Sequence, residues 1–342
     1  MKKHQKLLLI LCVPFLLMLG CNHPDSGSFS PQPNQYNITN NSDMADVPDM
    51  GAWININTVD GERKNGNDVI EFAGAPISFV YDYINNSNIG LNIICIALVD
   101  GYIQPFTVDG SDEEVMTYTR WLEAGEAVNI LIKYCPVVVP ENDKTILTAL
   151  VVLSNVDKIC EPDATTLDFF DYISIHHGLL MRTSERYNGP TGKSESVAWS
   201  ASINDFDNEI GYDDNLGNMI WARFTESGDI TNLSRYLRVP AEKENFSLSL
   251  SAPSGKYRTM MMVNGRPIAA FNNHYYLDWE SVGLFDEKSG MLTKYHTIKI
   301  DKEVLPDSKQ SVFALTFPID MEAYDPQEFH PAMSMPVAID IV

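Results

Sequence analysis

Positive charge is scarce in this chain: 24 Lys and Arg stand against 46 Asp and Glu, a net charge of −22 over 342 residues. A surface of that sign repels phosphate backbones and anionic lipid heads, which argues against nucleic acid as a partner and favours solubility and attraction for cations. Beyond residue 20 no apolar run approaches the roughly 20 residues that cross about 30 Å of hydrocarbon as a helix, so no downstream membrane span is expected. Helical periodicity is almost missing. So are compact catalytic signatures: there is no G-x-S-x-G elbow, S-x-x-K, H-E-x-x-H, P-loop or G-x-G-x-x-G. Their absence favours binding or architecture over catalysis. It still leaves room for a glycosidase-type carboxylate pair, whose two acids need only meet in space.

What is present begins with the leader. Lys2, Lys3 and Lys6 precede an apolar run, Leu7 to Leu19, of 13 residues, too short to span a bilayer but suited to an export signal. Leu17-Met18-Leu19-Gly20-Cys21 then resembles the lipobox of bacterial prolipoproteins, with Met18 where that family usually has Leu. The resemblance covers the export signal alone. It implies that Cys21 is diacylated and becomes the mature amino terminus, anchoring an extracytoplasmic body to a membrane of the cell envelope. Each buried CH₂ contributes roughly 0.8 kcal/mol, so one acyl chain holds marginally and two or three hold firmly. Loss of the three leader lysines takes the charge from −22 to −25. Residues 22–51 are rich in Asn, Ser, Pro, Gly and Asp, and read as a disordered tether with an r.m.s. span of roughly 30 Å.

The remainder reads as all-β, with two tandem immunoglobulin-like β-sandwiches over 52–156 and 220–342 and a partly packed linker over 157–219. An internal repeat supports the pair. Trp53 leads after 46 residues to Val99-Asp100-Gly101, and Trp221 leads after 42 to Val263-Asn264-Gly265. Asp-Gly and Asn-Gly supply the positive φ that a two-residue hairpin needs. Alternation marks Ile77, Phe79, Tyr81 and Tyr83 as one buried stripe, and Phe246, Leu248 and Leu250 as another, with Ser247, Ser249 and Ser251 facing water. Residues 93–99 are apolar on both faces, the pattern of a central strand. Residues 128–134, 146–153, 296–302 and 311–319 complete the sheets. In the linker, 167–173 reads as a helical turn or an edge strand, 187–196 as a loop, and 196–200 as a strand. Val99-Asp100-Gly101 with Gln104, Pro105 and Phe106 also resembles a V-D-G-x-x-Q-P-[YF] hairpin of secreted and lipid-anchored bacterial proteins. That resemblance supports fold over about one domain and implies no activity.

Candidate sites are few. Asp205, Asp207, Glu209 and Asp213 concentrate hard oxygen ligands of the kind Ca²⁺ takes, although Gly211 and Leu216 break the EF-hand pattern, so a solvated acidic loop is the simpler reading. His176-His177 lack a second metal-ligand pair and read as surface residues. With Cys12 removed and Cys21 acylated, Cys95 and Cys135 are either bridged or buried thiols, and Cys160 has no evident partner. Tyr102, Tyr275 and Trp279 flank the hairpins and are candidate anchors for a surface glycan or protein partner. The expected role is therefore a non-catalytic, surface-exposed lipoprotein for adhesion, envelope assembly or ligand capture. The alternative is a carbohydrate-binding or carbohydrate-degrading accessory.

The leader generates the first prediction. Cys21→Ser is expected to abolish incorporation of labelled fatty acid and to release or misprocess the protein; equal labelling of variant and wild type would end the lipoprotein reading.

Overall fold

The computed structural model describes residues 55–58, 69–85, 90–141, 144–154, 174–213, 220–226, 236–282, 284–286, 290–305, 309–319, 332–333 and 337–341. The leader, Cys21, the tether, Trp53, Cys160, the 167–173 segment and Leu216 lie outside them. Pro48–Val342 forms one compact unit. Among the described residues no helix is long and apolar enough to cross a membrane.

The fold is all-β, and the repeat is carried by its topology. In the first sandwich Ile77–Ile84 pairs with Asn55–Thr58 on one side and Ala127–Tyr134 on the other. The facing sheet runs Val69–Phe72, Ser174–Thr183, Thr145–Ser154, Leu91–Val99, with Val69–Phe72 parallel to its neighbour. In the second sandwich Asn245–Ser251 pairs with Trp221–Thr225 and Gly290–Asp301. Its facing sheet runs Tyr236–Val239, Val337–Ile341, Gln310–Pro318, Gly255–Val263, again with the first pair parallel. Seven strands thus recur in the same order and sense, the immunoglobulin-like arrangement of a three-stranded sheet against a four-stranded one.

Both hairpins are built alike. Asp100 and Gly101 have φ of 51° and 73°, and Asn264 and Gly265 have 48° and 75°. Asp100 N donates to Leu147 O at 2.7 Å and Asn264 N donates to Ser311 O at 2.8 Å, so each turn is tied to the equivalent neighbouring strand. Gln104 of the Q-P-F motif is buried, its Oε1 accepting from Val137 N at 2.8 Å, which locks the first hairpin to the next loop.

The topology assigns the packed part of the expected linker. Ser174–Thr183 is the last strand of the first sandwich, flanked on both sides. His176 and His177 lie in it, in register with Val151 and Leu150. Gly192–Lys193 pairs with Val138–Val139 of the first sandwich, whereas Ser200–Ser202 and Asn208–Asp213 add edge strands to the second. The strand expected over 196–200 begins only at Ser200 and is preceded by a turn. A β-branched, strongly alternating pattern is weak in all these stretches, so their pairing is set by neighbours rather than by propensity.

The two sandwiches stack. Alternation along Gly255–Val263 sends Tyr257, Met261 and Val263 into the second core, while Met260 and Met262 join Phe313, Leu315, Phe317 and Tyr276 in the apolar cluster of the first. Four sheet layers result, and strands at the seam are buried on both faces, which explains the unbroken apolar run at Leu91–Val99. Cys95 is buried there and Cys135 is exposed, and both are free thiols rather than bridged; burial pushes Cys95 up to about 12.

The serine stripe differs from expectation. Ser247, Ser249 and Ser251 are buried. Ser251 lies in register between Trp221 and Tyr295, whose ring centroids are 6.5 Å apart, so large rings on both neighbours close over the small residue. Ser249 Oγ and Thr297 Oγ1 satisfy one another at 2.7 Å. Ser249→Ala leaves that threonine unpaired and is expected to cost about 1–3 kcal/mol, read as a fall in Tm, whereas Ser196→Ala on the surface stays within about 0.5 kcal/mol.

Candidate binding site at the sandwich junction

The site is organised by one buried cation. Arg258 leaves the seam face of Gly255–Val263 and is only 4% exposed. Its Nε and Nη2 donate to the two carboxylate oxygens of Asp278 at 2.8 and 2.9 Å, a bidentate pair between adjacent strands. Nη1 reaches across the seam to donate to Asp100 O at 2.5 Å, with the Asp100 carboxylate at 3.6 Å. Burial works against the Arg258 charge, but the Asp278 hydrogen bonds and the charges of Asp278 and Asp100 outweigh it and hold the pKa above its ordinary value. Gly101 is needed at this contact, because its backbone is left-handed and a Cβ there would sit 3.3 Å from the Arg258 stem.

Aromatic rings extend the contact outward. The Arg258 guanidinium carbon lies 3.7 Å from the Tyr102 ring centroid, and Lys193 Nζ lies 4.4 Å from the same centroid. Tyr102 meets Tyr276 edge-on at 4.9 Å, and the Tyr276 hydroxyl accepts from Ile103 N at 3.1 Å. Lys193 Nζ also donates to Tyr102 Oη at 3.1 Å and Ala198 O at 2.9 Å, and sits 4.5 Å from the Trp199 ring centroid. Trp199 itself is 76% exposed. It immediately precedes Ser200, which is in parallel register with Tyr276, and Tyr275 precedes Tyr276 in the same way. The backbones of Trp199 and Tyr275 therefore enter the sheet side by side at the open end of the cluster.

The three expected anchors separate. Tyr275 is 42% exposed and belongs to the outer rim. Tyr102 is corrected to a seam residue, 5% exposed and enclosed by Arg258, Lys193 and Tyr276. Trp279 is corrected to core: it is 4% exposed, stacks on Tyr257 at 5.0 Å, and donates from Nε1 to Thr259 Oγ1 at 2.9 Å. Tyr102 is inside because its hairpin meets the stacking seam, whereas Trp279 faces the second sandwich's own core beside Tyr257. Lys193 and Trp199 were not anticipated; nothing in a sequence separates an exposed tryptophan from a core one.

Among the described residues the acidic stretch does not assemble into a cation site. Asp205 Oδ2 accepts from Ser202 N at 2.9 Å as part of a capping box. Asp207 pairs with Lys299 at 2.8 Å, and that hydrogen bond and charge hold its carboxyl below the usual range. Glu209 and Asp213 lie in Asn208–Asp213, an edge strand instead of the expected loop. Among the described residues no three His, Cys, Asp or Glu converge as metal ligands.

No family model and no curated protein matches the chain. Solved structures match weakly. A PapD-like domain of human CEP192 aligns at 13% identity, covering 48% of this chain and 99% of its own, with a TM-score of 0.23. The secreted serine protease VesC of Vibrio cholerae aligns at 10% identity over 86% of this chain and 52% of its own, TM-score 0.22. A chaperone and tip-adhesion-subunit complex of archaic Csu pili from Acinetobacter baumannii aligns at 11% identity over 85% of this chain and 100% of the aligned chain, TM-score 0.21.

Burial pushes the Asp100 carboxyl up from 3.8 to about 7, against the pull of Arg258. Between about pH 4 and 7 the folded chain keeps a proton that the unfolded chain has released. This group's contribution to stability is therefore full below about pH 4 and is lost as pH rises to about 7. Asn264 holds the same left-handed backbone in the second hairpin without titrating. Asp100→Asn is expected to gain stability relative to wild type as pH rises through that window, measured as the difference in Tm at each pH; a flat difference would show that Arg258 keeps Asp100 ionised throughout.

Proposed function

We propose that the chain is a lipid-anchored, non-catalytic protein of the bacterial cell envelope whose paired immunoglobulin-like sandwiches form a rigid body for adhesion, envelope assembly or ligand capture. The observation that carries this reading is the Arg258 clamp. It joins the backbone of one sandwich to a carboxylate of the other and closes an apolar seam around itself. A flexible pair of domains would bury few side chains between them, whereas this seam resembles a core cut by a sheet. Such a body holds its own surface features in a fixed arrangement relative to one another. The lipobox-like Leu17–Cys21 stretch supplies the address.

Two measurements test the reading on the full chain. Antibody accessibility on intact cells and membrane fractionation should find the protein outside the cytoplasm and membrane-bound. Incubation with purified envelope polysaccharide should release no reducing ends. A cytoplasmic pool, or sustained turnover of polysaccharide, would overturn it in favour of another compartment or a hydrolase.

A further inference from the structure

We infer that Trp199 and Tyr275 form a stacking platform for an uncharged pyranose oligosaccharide, a proposal that rests on ligand capture as the role of the body. Four features converge on that ligand class. The indole of Trp199 is exposed to an extent unusual for so large a ring, and Lys193 holds it from one side at 4.5 Å while bonding the Ala198 carbonyl that precedes it. A ring restrained in this way binds with little further loss of freedom. Tyr275 supplies a second exposed ring, one residue before Tyr276, as Trp199 is one residue before its strand partner Ser200.

The surroundings distinguish a sugar from a protein partner. Protein hot spots sit in desolvated pockets ringed by contacts that exclude water. Here Ser194, Glu195 and Ser196 before the indole, and Asn272 and Asn273 before the tyrosine, are all exposed. Exposed hydroxyl and amide groups in the segments that carry the two rings match a ligand with one apolar C–H face and a rim of hydroxyls. Charge decides the remaining choice. The chain carries −22, and of the local cations Arg258 is paired with Asp278 while Lys193 bonds the neutral Tyr102 Oη and Ala198 O. An acidic polysaccharide therefore meets general repulsion offset by a single lysine.

The experiment is titration of the full chain with chitohexaose, cellohexaose and maltohexaose, and with polygalacturonate as the anionic comparison, read by tryptophan emission and saturation-transfer NMR. Saturable binding of at least one neutral hexasaccharide is expected. Trp199→Ala should weaken it by about tenfold or more, equivalent to ~1.4 kcal/mol, and Tyr275→Ala by several-fold. Trp199→Tyr should retain most of it, with Tm unchanged in each variant, and Trp121→Phe should have no effect. Binding of none of the neutral probes, equal binding by wild type and Trp199→Ala, or preference for polygalacturonate would overturn the proposal. A fall in Tm with Trp199→Ala that is not restored in Trp199→Tyr would overturn it as well, by making the ring structural. These outcomes leave the envelope reading intact, since that reading is tested by fractionation and accessibility.

Discussion

The structure depends on keeping one guanidinium charged where water does not reach it. Removing a cation from water costs several kcal/mol, and the cost is met only by good geometry and full hydrogen bonding. Arg258 obtains both from Asp278, which lies directly opposite it in the adjacent strand. Its third interaction is with the Asp100 carbonyl across the seam, so parting the sandwiches breaks a charge-assisted hydrogen bond between them. A purely apolar seam would hold as tightly but could slide. The directional bonds set the register in which Met260, Met262 and Phe313 meet the first core.

The repeated topology brings an Asx-Gly turn of each sandwich to the seam. Both copies of the Asx-Gly turn face the seam, Gly101 against Arg258 and Gly265 against Ile94. The copies have diverged in what they present. The first keeps an ionisable Asp, and the second has Asn, whose Oδ1 accepts from Ser311 N at 3.0 Å. The titrating groups of the two halves also work in opposite directions. Burial, with Lys294 beside it, lowers His296 to about 4 from 6.5, so its contribution falls as pH drops through that window, while that of Asp100 falls as pH rises toward 7. The Asp100 and His296 contributions oppose one another between about pH 4 and 6.5.

Much of the fold was legible because its signals are local. Asp100-Gly101 and Asn264-Gly265 announce hairpins through backbone sterics alone, and Val128, Ile130, Ile132 and Tyr134 alternate as a half-buried strand must. The run Met260-Met261-Met262 is apolar on both faces because the seam lies on one side and the core on the other, a distinction that hydrophobicity does not encode. Serines 247, 249 and 251 misled for the converse reason. Small polar residues read as solvent-facing, yet neighbours on other strands cover them, Trp221 and Tyr295 in the case of Ser251. The strand Ser174–Thr183 was hidden in the same way, since its place between two partners is non-local.

The candidate site divides along the same line. Tyr102 reads as outside because the hairpin end of a single sandwich is free, and stacking the two sandwiches turns it inward, whereas Trp279 is covered by its own sandwich's core. The rim at the junction draws on both sandwiches and on the segment between them. Lys193 comes from a short strand of the first sandwich, Trp199 from the turn leading into the second, and Tyr275 from a loop of the second. Tyr102 lies at their centre, touching Lys193 on the outer side and Arg258 on the inner. The platform and the clamp thus share a ring. The exposed surface at the junction is held in place by the same buried charge that joins the sandwiches.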